Sequence, residues 1–134
     1  MTQEEKELLL KDLCARLCYG VKFGIGLGKL GKYDLVEINT KKGKVLFGHG
    51  LYTDLETCRP YLRPMSSMTE GEKKELSNIR PYLIDKNDNI IGVQCNSFIQ
   101  ISECQDWLNE HHFDYRGLIE KGLALEAPED MYNN

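Results

Sequence analysis

The densest group of side chains able to do chemistry is His111-His112-Phe113-Asp114. An imidazole oriented by a carboxylate can activate water, and both groups are good ligands for a divalent metal. Read as a hydrolytic site, Asp114 orients His112, His111 stands beside it, and a water is the nucleophile of a metal-assisted hydrolase. The chain has only His49 to add to this set. Adjacent histidines rarely point at one metal, and histidine at a helix end is favoured by the dipole and caps free carbonyls. No glycine-framed serine is present to complete a nucleophilic triad. The residues therefore specify no metal and no cofactor.

A second group is rich in glycine. Gly26-x-Gly28-x-x-Gly31 and Gly26-x-x-x-x-Gly31-Lys32 both match patterns that aim backbone N–H groups at phosphate. Tyr33 stands where a P-loop needs Ser or Thr for magnesium, and the residues after Lys32 have the pattern of a strand, not a helix. The kinase motifs that would accompany a glycine loop between strands are absent from the sequence. The segment reads as a glycine-rich turn. Asp85-Lys86-Asn87-Asp88-Asn89 begins like a calcium loop, but Ile90 replaces the required glycine and Asn96 the final glutamate, so it reads as a hairpin turn.

Aromatic and basic residues mix in Arg59-Pro60-Tyr61-Leu62-Arg63-Pro64 and in Phe113-Asp114-Tyr115-Arg116. Tyr, Trp and Arg dominate interface hot spots, which makes Tyr61, Arg63, Trp107, Tyr115 and Arg116 the candidate binding residues. The same residue types also pin loops to a sheet. Lys and Arg number 17 against 21 Asp and Glu, a net charge of −4, which argues against a domain that coats nucleic acid. The charge is uneven. Residues 16–63 carry nine bases against four acids, and residues 81–134 three bases against ten acids. Nucleic-acid binding through the basic segment 22–44 is thus a second alternative to a protein partner.

These residues need elements to position them. With 134 residues the chain is long enough for one domain with a real core. Thr2 with Glu5 makes a capping box, and Leu9, Leu10, Leu13 and Leu17 recur at helical spacing, which predicts a helix over 3–18. Cys14 and Cys18 on it read as small buried hydrophobes. With five cysteines and no Cys-x-x-Cys pair, reduced thiols fit best, and the acidic start resembles no export signal, so a cytoplasmic protein without a membrane span is expected. From Tyr19 to Leu27 the period is two, the mark of a strand. Residues 33–40 and 44–47 form a hairpin about Gly43, and residues 48–68 read as an ordered loop with short extended pieces. A box from Thr69 to Glu72 opens a short helix over 70–77. Residues 82–84 and 90–101 read as another hairpin, a box from Ser102 to Gln105 opens a helix over 103–112, and a last helix over 115–121 ends at Gly122. The sum is a single α+β domain over 1–134, with a mostly antiparallel sheet packed against an N-terminal helix and C-terminal helices.

Tyr61-Leu62-Arg63-Pro64-Met65-Ser66-Ser67-Met68-Thr69, the stretch from Asp106-Trp107-Leu108 through His111-His112-Phe113 to Leu118-Ile119, and Glu5-Lys6-Glu7-Leu8-Leu9-Leu10 together resemble a family of small proteins of Bacteroides-type gut bacteria and their phages or mobile elements. That resemblance implies a bacterial or phage protein of the cytoplasm and brings no activity with it. The expectation is a non-enzymatic module that binds a protein partner, of unstated oligomeric state. A metal-assisted hydrolase using His111, His112 and Asp114 is the first alternative.

Overall fold

The structure, a computed structural model, describes residues 1–25, 33–48, 50, 52–79, 82–84, 90–93 and 98–132. The glycine segment 26–31, His49, the polar turn 85–89 and Cys95 lie outside the described residues.

Helix α1 (Gln3–Arg16) begins with the expected box: the Thr2 hydroxyl accepts the Glu5 N–H at 3.1 Å, and the Glu5 carboxylate accepts the Thr2 N–H at 3.1 Å. Its buried face is Leu9, Asp12, Leu13 and Arg16. Cys14 and Cys18 are exposed, contrary to expectation, because the helix turns an acid and a base inward in their place. A 3-10 turn, Leu17–Tyr19, and a left-handed Gly20 at φ 73° follow. The strand expected from Tyr19 therefore starts only at Lys22, although Val21 and Phe23 are buried as the alternation requires.

Strands β1 (Lys22–Ile25), β2 (Tyr33–Asn39), β3 (Lys44–Phe47), β4 (Tyr52–Asp54), β5 (Cys58–Leu62) and β8 (Leu125–Glu126) form a six-stranded sheet in the order β4-β3-β2-β1-β5-β8. All neighbours are antiparallel except β5 and β8. Gly43 turns the β2–β3 hairpin at φ 63°, helped by the Asn39 amide oxygen, which accepts the Lys42 N–H at 3.0 Å. Residues 48–68, read as an ordered loop with short extended pieces, contain β4 and β5, and β5 is more than such a piece. It lies inside the sheet, and four of its five residues are buried, so it shows no alternation and its Pro60 resembles loop punctuation.

Helix α2 (Glu70–Ile79) carries the Thr69–Glu72 box, and β6 (Tyr82–Ile84) pairs with β7 (Ile90–Val93) as the expected second hairpin. Helix α3 (Phe98–Glu110) starts earlier than the expected 103–112 and absorbs 98–101, which had the pattern of a strand; a short apolar run has no period that separates strand from buried helix. The expected helix over 115–121 is a set of turns, because Gly117 adopts φ 71° and interrupts the helical run. No described helix is long and apolar enough to cross a membrane.

Two apolar clusters result. One joins α1 to the sheet through Leu9, Leu13, Phe23, Val45, Phe47, Leu62, Leu118 and Leu123. The other lies beneath α2 and α3 and contains Met68, Leu76, Cys104, Trp107, Leu108 and Phe113. The architecture is α+β, as the element pattern implied.

Candidate functional site

His111, His112 and Asp114 sit where α3 ends. Phe113 N–H donates to Leu108 O at 2.9 Å and His112 N–H to Asn109 O at 3.1 Å, the bond pair of a Schellman turn, whose left-handed position normally takes glycine. Here that position is His112, at φ 64°, the one non-glycine residue with positive φ among the described residues. Its ring is buried and stacked on Tyr132, with centroids 3.7 Å apart and planes at 16°. Nδ1 of His112 has no hydrogen-bond partner among the described residues. Burial, with the charge of Arg16, holds its pKa down at about 4, so the ring is neutral at pH 7.

The other two groups face elsewhere. His111 stacks on Trp107 at 4.0 Å, and its Nδ1 lies 2.9 Å from Trp107 O. The Asp114 carboxylate accepts the N–H groups of Leu118 at 2.8 Å and Ile119 at 3.0 Å, which fixes the following turn and leaves His112 unoriented. The two imidazoles thus engage different aromatic partners. Among the described residues no group of three His, Cys, Asp or Glu side chains is arranged to hold a metal.

Beside this turn lies a buried charged network that the residue pattern did not announce. Asp12 and Arg16 are both fully buried and joined at 2.7 and 3.1 Å. Arg16 Nη2 also donates to Phe113 O at 2.7 Å, and Arg116 Nε donates to Asp12 at 3.1 Å. The Tyr115 hydroxyl donates to Asn109 Oδ1 at 3.0 Å and accepts from Arg116 Nη2 at 3.2 Å. The network joins α1, whose Leu9 and Leu13 belong to the first cluster, to the turn that carries Phe113 of the second. Its one signal in sequence was the i,i+4 spacing of acid and base on the helix face that carries Leu9 and Leu13.

The five candidate binding residues are all engaged inside the fold. Tyr61 and Trp107 are 7% and 6% exposed, the latter stacked between His111 and Phe113. Tyr115 and Arg116 belong to the buried network. Arg63 lies over the Phe113 ring at 4.2 Å and holds Glu72 with two 2.7 Å bonds. Burial alone would raise the Glu72 carboxyl, but Arg63 and Thr69 outweigh it and hold the pKa at about 2. The basic segment is also partly neutralised, with Lys22 on Asp34 at 3.0 Å and Lys44 on Asp54 at 3.1 Å.

Arg63 has a second place, in the wall of a cleft of about 500 Å³. One side of the cleft is Arg63, Pro64, Ser67 and Thr69; the other is the segment from Glu126 through Ala127, Pro128 and Glu129 to Tyr132. Ala127 N–H donates to Leu62 O at 2.8 Å and so fixes the second wall to β5. Tyr132 anchors its end: the hydroxyl accepts Lys22 N–H at 3.0 Å and donates to Tyr61 O at 2.7 Å. Burial pushes that phenol up to about 12, so it stays protonated and keeps its donor. The walls are more than fifty positions apart in the chain, which is why residue patterns did not bring them together. Their shared signal is Arg63-Pro64 and Ala127-Pro128, each holding the preceding residue extended.

No family model, no curated protein and no solved structure matches the chain.

Proposed function

We propose that the protein is a non-enzymatic binding module of the cytoplasm that receives a protein partner in the cleft between residues 63–69 and 126–132. The observation that carries this reading is the cleft itself, with an exposed polar rim on a rigid base built from β5, β8 and the Tyr132 anchor. Clefts of about this size accept several side chains at once. The groups that could have served hydrolysis support the same reading, because His111, His112 and Asp114 are turned to separate structural partners.

The test is parallel capture from a Bacteroides-type lysate by the immobilised protein and its Glu126→Lys variant, with nuclease present. The expected result is a stoichiometric protein held by the wild type and lost by the variant. A stoichiometric protein held equally by both would contradict the assignment of the cleft.

A further inference from the structure

We infer that Cys14 and Cys18 form a two-thiolate site at the end of α1 for a soft monovalent cation of the copper(I) class. Neither residue lines the cleft, so the site stands or falls apart from the reading of the cleft.

Placement comes first. Cys14 is in the last turn of α1, and Cys18 is in the 3-10 turn that follows. Between them Arg16 (φ −102°, ψ −8°) and Leu17 (φ −51°, ψ −42°) keep a right-handed helical backbone, so the two positions remain one turn apart on one face. Leu9, Asp12, Leu13 and Arg16 take the inward face, which leaves both thiols exposed and outside any disulfide, whereas Cys58 and Cys104 are buried.

Spacing selects the chemistry. Side chains one helical turn apart have Cβ atoms about 5–6 Å from each other. A disulfide needs about 3.5–4.5 Å between them, so the pair does not close on itself within the helix. A two-coordinate metal suits the gap, because two bonds near the ~2.3 Å of a metal–thiolate contact hold the sulfurs about 4.6 Å apart.

Coordination number selects the ion. Zinc in a closed site takes four protein ligands, and calcium and magnesium take six or more oxygens. Among the described residues no group of three His, Cys, Asp or Glu side chains is arranged for such a set. A soft monovalent ion needs only two thiolates and prefers sulfur to oxygen. Its binding breaks two S–H bonds and forms two S–metal bonds, with both protons released to solvent and no change of oxidation state. Local charge favours a cation: desolvation first, and then the charges of Asp106, Cys18 and Glu110, raise the Tyr19 phenol, which places two carboxylates near this end of α1. The Tyr19 hydroxyl also hydrogen-bonds Cys18 and leaves the sulfur lone pairs for a metal.

The experiment is anaerobic titration of the protein with copper(I), delivered as its acetonitrile complex, read by native mass spectrometry and by alkylation of the remaining thiols. One ion should bind per chain, protect Cys14 and Cys18 together, and raise the thermal midpoint. Cys14→Ser and Cys18→Ser should each weaken binding at least about a hundredfold, since the second thiolate of a chelate acts at high effective concentration. Both substitutions are at exposed positions, and far-UV circular dichroism checks that the variants fold. Cys95→Ser should bind as the wild type does, and zinc alone should leave both thiols open to alkylation. An ion retained equally by Cys14→Ser, lost by Cys95→Ser or shared between two chains would overturn the inference, as would zinc protecting the pair as well as copper(I) does.

Discussion

Two segments of the chain close with the same pair of hydrogen bonds. In 108–113, Phe113 N–H meets Leu108 O at 2.9 Å and His112 N–H meets Asn109 O at 3.1 Å; in 118–123, Leu123 N–H meets Leu118 O at 2.9 Å and Gly122 N–H meets Ile119 O at 3.1 Å. Each needs one left-handed residue, His112 at φ 64° and Gly122 at φ 74°. At Gly122 a Cβ would meet nothing within 4 Å, so the backbone alone asks for glycine. At His112 a side chain is kept although the left-handed region costs about 1–2 kcal/mol. What offsets that cost is a buried ring stacked on Tyr132, which ties β1 to β5 and walls the cleft. One turn only reverses the chain, whereas the other places a side chain.

The largest effect that separates them comes from charge. Arg16 donates to Phe113 O inside the first turn, and it neutralises the fully buried Asp12. Arg16→Met is expected to destabilise the protein by about 3–5 kcal/mol, since a carboxylate is left buried without its main partner. Chemical denaturation measures this. The double variant Arg16→Met with Asp12→Leu should recover part of the loss, because no carboxylate is then left buried, while Arg116 gives up its bond to Asp12 and keeps only the Tyr115 hydroxyl.

Acid should come next. Folded His112 titrates near 4 and its unpaired reference value is 6.5, so between these values the unfolded chain binds the extra proton. Its contribution is complete above pH 6.5 and is lost as pH falls toward 4, by up to about 3 kcal/mol. Glu72 adds a separate loss that begins below about 4.5, because its carboxyl is held near 2 in the fold. Denaturation midpoints across pH 3–8 should show both regions in the wild type. Only the upper one should vanish in His112→Asn, where no imidazole remains.

The smallest separation is steric. Gly122→Ala should cost about 1 kcal/mol, since the space is open and only the backbone conformation resists. Thermal unfolding checks it.

What the sequence made legible follows the range of each interaction. The Thr2–Glu5 and Thr69–Glu72 boxes and the hairpin about Gly43 are set by residues within four positions, and they form as read. β5 was hidden because a strand buried on most of its residues loses its period, and Pro60 resembles a breaker. Asp12 and Arg16 were hidden because a charged pair, held also by Phe113 O and Arg116, can take core positions that hydropathy assigns to apolar residues such as Cys14. The cleft depends on Tyr132 reaching Tyr61, 71 positions away, and no local pattern encodes that contact. The His112 cluster was seen as a set of chemical groups, but its direction was set by a left-handed backbone and by Tyr132, both tertiary facts.

The most direct test of the account is the stability of His112→Gly at pH 7.5, measured by urea denaturation beside the wild type. The substitution relieves the left-handed backbone and removes the ring that meets Tyr132. If the ring is the reason for the strained residue, the variant should be less stable by about 1 kcal/mol, the lost aromatic packing exceeding the backbone relief. A variant more stable than the wild type would show that His112 anchors nothing, and the rigid cleft wall built on it would be contradicted.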